Sequence, residues 1–293
     1  MSFSKNHTEI REKNEIVGGT LYLVATPVGN LADLSDRAIK VLSEVDFIAA
    51  EDTRNTGLLL SRLGIQKSMI SYFEHNKRER GELIVKRLLE GESCALVTDA
   101  GTPAISDPGE DLVKLCAEKN IPVTSVPGAC AAILALTLSA LSTGRFVFEG
   151  FVSTSKAERR ERFSILSQDE RTTIIYEAPH KLRTTLDDLC EYFGADRKIT
   201  LCRELTKLNE EVIRTTVGGA VEKYNTQDPR GEYVLVIEGR AKSDKAEYPE
   251  DITDHVNMLI DSGLDRMSAM KKAAKERGIS KSDVYKQYVS SDE

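Results

Sequence analysis

The sequence predicts an α/β protein with two α/β domains, mostly parallel or mixed sheets, and a small C-terminal helical appendage. Three observations predict this. Apolar runs of strand length alternate with segments of helical period, the pattern of a sheet covered on both faces. At 293 residues the chain exceeds one ordinary core, so two domains are expected. Several apolar runs also stop abruptly in small, polar and turn-forming residues, as strands do at the end where open α/β sheets bind ligands.

In chain order, the apolar run 20–26 predicts a buried strand and 34–42 a helix. A second strand is expected over 45–50, a helix over 55–63 and a short strand over 69–72. The helical period of 78–89 precedes a strand at 93–98; a helix at 112–118, a strand at 122–126 and an apolar helix at 130–141 complete the first half. A boundary falls at Ser142-Thr143-Gly144, where the apolar helix gives way to small residues. The second half uses strands at 146–148, 172–176, 198–202 and 233–237, with helices at 156–166, 180–193 and 219–224. Residues 242–250 are charged and contain Pro249, and the stretch 252–289 is helix-like throughout. The expected plan is a flexible tail over 1–18, α/β domains over 19–143 and 144–241, a linker over 242–251, and a basic helical tail over 252–293. No internal repeat points to a solenoid.

Composition narrows the class. Forty per cent hydrophobic and 30% charged residues are ordinary for a soluble globular chain. A net charge of −7 means that nucleic acid would have to be bound by local patches. Cys94, Cys116, Cys130, Cys190 and Cys202 are odd in number, lack CxxC spacing and mostly sit in apolar runs, as reduced thiols do. The polar opening segment has no apolar h-region, and nowhere are there the ~18 unbroken apolar residues of a membrane span. A cytoplasmic protein that does not engage a membrane is expected.

The most informative stretch is Val97-Thr98-Asp99-Ala100-Gly101-Thr102-Pro103-Ala104-Ile105-Ser106-Asp107-Pro108-Gly109. Glycines and prolines fix its backbone, while Asp99, Thr102, Ser106 and Asp107 offer polar atoms, so this loop suits a small ligand. After the first strand, Ala25-Thr26-Pro27-Val28-Gly29-Asn30 carries one glycine where GxGxxG would need three, and no GxxxxGK[ST] occurs. A diphosphate cradle is therefore missing; the loop is either a stiffened turn or part of a site for a ligand without a diphosphate. Glu51, Asp52 and Arg54 emerge after the second strand and either pair locally or face a substrate. Val126-Pro127-Gly128-Ala129-Cys130-Ala131 leaves a bare helix start, which suits close approach of a ligand or tight packing. The four histidines, His7, His75, His180 and His255, are scattered without metal-site spacing.

Together "VATPVGNLxD", "AAEDTR", "VTDAGTPAISDPG", "VPGACAA", "YEAPHKL" and "RGEYVLVIEG" resemble the tetrapyrrole-methylase superfamily of S-adenosylmethionine-dependent methyltransferases, also termed class III. Within it they are similar to the branch that methylates a cytidine ribose 2′-oxygen in 16S rRNA. The likeness spans roughly 19–242. It implies S-adenosyl-L-methionine in a cleft between two α/β domains, a homodimer, and the small ribosomal subunit as substrate. By position it implies cofactor contacts from Gly101, Thr102 and Pro103, with Thr102 standing where relatives carry an acid. Asp99, Ile105, Ser106, Cys130 and Ala131 would line the same ligand. Tyr176, Glu177, Leu205, Glu232 and Tyr233 would close over it, and Pro27 would lie at the cleft floor.

Methyl transfer from a sulfonium to a ribose hydroxyl needs alignment above all, and a base near the hydroxyl adds ~10²–10⁴-fold. Asp52 is the first candidate base, with Glu51 and Arg54 beside it; Asp99, Glu177 and Glu204 are further candidates. Between Arg266 and Lys286 seven cations face only Glu276 and Asp283, in a helix–turn–helix-like text with Ser280 as N-cap. Lys271, Lys272, Lys275, Arg277 and Lys281 there, and Lys156, Arg159, Arg160 and Arg162 near the domain junction, are expected phosphate contacts, or else solvated helix faces. His180 and Lys181 are expected either to start a helix or to touch RNA. Two other functions stay open: methylation of a small tetrapyrrole, and a non-catalytic factor that binds S-adenosylmethionine and RNA.

Overall fold

The structure, a computed structural model, describes residues 15–241 and 248–290. Most of the expected tail (1–14), the first part of the expected linker (242–247) and residues 291–293 lie outside the described residues. The chain divides into two compact units, Met1–Arg240 and Ala241–Glu293.

The first unit holds two five-stranded sheets. The first comprises β1 (Leu21–Val24), β2 (Phe47–Ala50), β3 (Ser68–Ser71), β4 (Cys94–Val97) and β5 (Val123–Val126), in the order β3-β2-β4-β1-β5. Every pair in it is parallel. The buried runs demand cover on both faces, and the helices between them provide it. α1 (Asp36–Glu44) and α2 (Thr53–Arg62) bury Ala38, Val41, Leu42 and Leu60 against Tyr22, Val24, Ile48, Ala50, Ala95 and Val97. α3 (Lys77–Leu89) and α4 (Glu110–Glu118) bury Ile84, Leu88, Leu112 and Cys116 against the alternate residues Leu21, Phe47, Ala49, Cys94 and Leu96. That alternation is the period-2 geometry of a strand. β1 and β4 are neighbours whose following helices lie on opposite faces. A crevice therefore opens beyond their carboxyl ends.

The second sheet comprises β6 (Phe146–Phe151), β7 (Thr172–Glu177), β8 (Lys198–Arg203), β9 (Glu211–Thr216) and β10 (Tyr233–Ile237), in the order β6-β7-β10-β8-β9. Only β6 and β7 pair in parallel; the other three pairs are antiparallel. α6 (Lys156–Ser167), α7 (Leu182–Phe193) and α8 (Val217–Thr226) cover one face, with Phe163, Leu186, Leu189 and Tyr224 in its core. The opposite face receives α5 (Ala131–Leu138), whose Ala132, Ala135 and Leu136 pack on Ile174, Cys202, Val234 and Val236. The helix that leaves the first sheet thus serves the core of the second. α5 is shorter than its apolar run because Ala140 turns into a positive φ of 59°. All five cysteines are free thiols.

The second unit contains α9 (Ile252–Asp261), α10 (Arg266–Arg277) and α11 (Lys281–Ser290) around Val256, Leu259, Met270, Ala273 and Val284. Its helix-like sequence is cut twice. Asp265 accepts from Met267 N and Ser268 N to start α10, and Gly278 ends it at φ 66°. Ser280 then accepts from Asp283 N at 3.2 Å. His255 is fully buried, its Nε2 3.0 Å from Glu276, while Arg277 Nε donates to its Nδ1 at 3.1 Å.

Phe163 is wholly buried whereas Ile165, on the same helix, is 55% exposed. Phe163→Ala is expected to cost about 3–5 kcal/mol and Ile165→Ala within ~0.5 kcal/mol, measured as shifts of the denaturant midpoint.

Candidate active site

Three loops leave the carboxyl ends of β1, β4 and β5 and are tied together. Thr26 and Gly101 form a two-way backbone bridge, Thr26 N donating to Gly101 O at 2.9 Å and Gly101 N to Thr26 O at 3.0 Å. Thr26 Oγ1 donates to Thr98 O at 3.0 Å, and Thr102 Oγ1 to Ala129 O at 2.9 Å. The β4 loop so anchored is strained. Gly101, Ala104, Ser106 and Gly109 all carry positive φ (85°, 67°, 62° and 145°), and two of these are not glycine. Such backbone persists only where surroundings over-determine it, and it concentrates at functional sites.

The loops of the second sheet close the crevice. At Gly150 (φ 69°) a Cβ would stand 2.5 Å from Ser106 Oγ, and at Gly29 one would stand 3.2 Å from Leu205 O. These close approaches shape a cavity of about 430 Å³, within the range of small-molecule sites. Its walls are Val28, Glu51, residues 98–102 and 105–107, Cys130, Ala131, Phe151, residues 176–179, and 232–234. Tyr176 bridges the halves, its hydroxyl accepting from Ala132 N at 3.1 Å. Burial pushes its phenol up to about 12, so it stays neutral.

Acidic groups dominate the polar lining. Glu51 Oε2 accepts from Thr98 Oγ1 at 2.5 Å, and Asn55 Nδ2 donates to Asp99 Oδ2 at 2.8 Å. Burial raises Asp99, with the charges of Glu51 and Asp52 adding to the shift. Burial and the neighbouring Glu51 push Asp107 up to about 6. Carboxylates crowded in this way favour a cationic or hydroxyl-bearing ligand over an anionic one.

Of the residues the sequence singles out, Glu51, Asp99, Gly101, Thr102, Ile105, Ser106, Cys130, Ala131, Tyr176, Glu177, Glu232 and Tyr233 are brought to this cavity. Pro27, Pro103 and Leu205 are not among its walls; Pro103 and Leu205 are buried behind the loops they support. Glu177 is 3% exposed and satisfied locally, accepting from Ala178 N at 2.8 Å and Thr185 Oγ1 at 2.6 Å. Asp52, first choice as base, is occupied elsewhere. It caps α2 through Arg54 N at 2.8 Å and holds the Arg54 guanidinium at 2.6 Å, which lowers its carboxyl to about 2. Arg54 is correspondingly paired rather than aimed into the cavity.

Among the expected phosphate contacts, Lys156, Arg160, His180, Lys271, Lys272, Lys275 and Lys281 are exposed and Lys181 is half-buried. Three differ from expectation for the same reason, an internal partner. Arg159 is paired with Asp188 at 2.6 Å, both side chains 15% exposed. Arg277 donates to Glu250 O, Pro249 O and Asp251 O besides His255. Arg162 likewise pairs with Glu149 at 2.5 Å. Phe151, which follows a bulge in β6, carries no signal in the sequence, and Asp107 is named there only as one of the polar groups of the β4 loop. The proline and glycine beside Asp107 were the available sign that its backbone is fixed.

Asp107 also sets a pH dependence of stability. Its folded pKa lies above the ordinary 3.8, at about 6, so the folded state binds the extra proton between those values and loses stability as pH rises through them. Asp107→Asn should therefore raise the Tm at pH 8 and give no such gain near pH 3.5.

Residues 20–221 match the family described as Tetrapyrrole (Corrin/Porphyrin) Methylases. A Synechocystis protein named "Ribosomal RNA small subunit methyltransferase I" is 46% identical over 91% of this chain and 96% of its own. An Escherichia coli O157:H7 protein of the same name is 41% identical over 92% and 94%. Among solved structures, a cobalt precorrin-4 methyltransferase superposes with TM-score 0.57 at 15% identity, covering 75% of this chain and 95% of that one. Diphthine synthase superposes with TM-score 0.58 at 14% identity, over 75% and 90%. Both share the fold. The chain belongs to the tetrapyrrole (corrin/porphyrin) methylase family of S-adenosylmethionine-dependent methyltransferases.

Proposed function

We propose that this chain methylates the ribose 2′-hydroxyl of a cytidine in the 16S rRNA of the small ribosomal subunit. The observation that carries the reading is the rigid cavity in which Glu51, Asp99 and Asp107 converge beyond β2 and β4. The names of the relatives support small-subunit rRNA as substrate. The motif set "AAEDTR", "DAGTPAISDPG" and "YEAPHKL" supports the cytidine ribose. An rRNA substrate in turn supports a cytoplasmic site of action, and the family likeness a homodimer of chains, each with its two sheets acting as domains 19–143 and 144–241.

The residues fit the methyl donor. Crowded carboxylates suit a cation, the volume suits a nucleoside-sized ligand, and the anchored loop at Gly101 and Thr102 exposes backbone at close range. Ile105, Cys130, Ala131 and Tyr233 give it apolar walls, and Ser106 and Glu232 polar edges. When bound, S-adenosylmethionine supplies a methyl group already activated by its sulfonium. The chain's part is then orientation and proton removal. Orientation comes from the tied loops, and positioning of this kind is worth up to ~7–11 kcal/mol. For the proton, Asp107 is the best matched group. Its carboxyl lies at about 6 and is ionised at neutral pH yet basic enough to accept. Asp52, held near 2, is a poor acceptor and instead positions Arg54 on the rim. Exposed Lys156, Arg160, His180 and Lys181, and separately Lys271, Lys272, Lys275 and Lys281, would contact phosphates, making RNA binding salt-sensitive.

The test transfers labelled methyl from S-adenosylmethionine to small subunits lacking the modification, followed by digestion and mass spectrometry. Label on a cytidine ribose is expected. Label on a base, or none on RNA with the donor bound, would count against the reading and bring back a small tetrapyrrole or a non-catalytic role. In the same assay Asp107→Asn should lower turnover ~10²–10⁴-fold, and Asp52→Asn less than about tenfold. Wild-type kcat/KM should rise with pH through about 6, because the base works deprotonated.

A further inference from the structure

The edge of the first sheet carries a second feature, resting on the RNA reading but outside the cavity. The loop between β3 and α3 holds Tyr72, Phe73, Glu74, His75 and Asn76. Ala50 is in register with both Ser71 and Val97. Residues 51, 72 and 98 therefore leave their strands at one level. Tyr72 N donates to Ala50 O at 2.8 Å, and strands lie ~4.8 Å apart, so the β3 loop begins about two strand spacings from the acid-lined loop of β4. The loops after β3, β2 and β4 make one continuous rim.

Adjacent residues in this loop go opposite ways. Tyr72 is 1% exposed in the core, whereas Phe73 is 37% exposed. A side-chain clamp fixes this arrangement. Asn76 Oδ1 accepts from Phe73 N at 2.9 Å and Asn76 Nδ2 donates to Ser71 O at 3.1 Å. Asn76 occupies the N-cap position of α3 yet makes no capping bond there; its amide is used to close the loop. The exposed rings of Phe73 and His75 meet edge to face, centroids 6.1 Å apart at 87°. Cations flank them. Arg54, on the neighbouring β2 loop, has a side chain 88% exposed and is steadied by Asp52. Arg78, in the first turn of α3, is exposed and has no ion pair among the described residues.

We infer that this loop is a stacking platform for single-stranded RNA. A base flanking the target nucleotide stacks on Phe73, while Arg54 and Arg78 take the neighbouring phosphates. An exposed aromatic clamped on a loop, with guanidinium groups on the adjoining loop and helix, is a composition that suits unpaired nucleotides, because every base offers a π face. The occupant is RNA rather than a small substrate because the loop lies on the rim, outside the cavity walls, and continues from it.

The test compares Phe73→Ala, Phe73→Leu and Phe73→Tyr with the wild type in methyl transfer to unmodified small subunits. Donor affinity and mass in solution are followed in parallel. Phe73→Ala and Phe73→Leu should raise KM for subunits about 5- to 100-fold with kcat near wild type, and Phe73→Tyr should restore it. Donor affinity and mass should not change. An unchanged KM in Phe73→Ala would overturn the platform. So would rescue by leucine as good as by tyrosine, or a KM change that accompanies a change in mass. A wild-type protein that binds donor but labels no RNA would instead overturn the underlying function, and the platform with it.

Discussion

The site depends on one small set of hydrogen bonds, the bridge between Thr26 and Gly101 at 2.9 and 3.0 Å. Strand ends of a parallel sheet diverge unless something joins them. Here the bridge extends the β1–β4 pairing beyond the sheet, and Thr102 carries the tie on to the loop after β5. The β4 loop can then hold Ala104 and Ser106 at positive φ, conformations that cost of order 1–3 kcal/mol each. The second sheet supports the loop from the other side at Gly150, where a Cβ would strike Ser106. α5 links the halves by packing on the sheet it does not follow.

The electrostatics follow from that fixed backbone. Glu51, Asp99 and Asp107 come from two neighbouring strand ends, and none of them forms an ion pair among the described residues. Arg54, the nearest guanidinium in sequence, is held by Asp52 instead. A site arranged for a cationic donor is thus less stable without it, a common trade between stability and function. The capping role of Asp52 serves that arrangement, since it engages the Arg54 guanidinium directly.

Much of this architecture was legible in the sequence. Buried parallel strands read as apolar runs, so β1, β2 and β4 stand out, and the turn-rich text after β4 marks the ligand-binding end. β9 escaped notice because Glu211–Thr216 is a half-buried edge strand with no apolar run. The antiparallel pairing of the second sheet was equally hidden, since an alternation of strands and helices does not fix strand direction. Within the site, residue type was a poorer guide than position. Asp52, Arg159 and Arg277 look functional as charges, but each finds a partner: Asp52 takes Arg54 two residues on, as local pairing allows, while Arg159 and Arg277 meet partners that only the folded chain brings near. Asp107 draws its altered acidity from burial and from Glu51, 56 positions away in sequence, and no local pattern encodes that.

The anchored loops are proposed to hold an acidic cluster poised for a sulfonium. The most direct measurement is an NMR titration of the Asp107 carboxyl in three states: free protein, protein with S-adenosylmethionine, and protein with S-adenosylhomocysteine, which lacks the sulfonium charge. Titration near 6 is expected in the free protein, with a clear downward shift on adding the cationic donor and a smaller shift with the neutral product. An Asp107 that titrates as an ordinary carboxylate in the free protein, or that responds equally to both ligands, would contradict the proposal.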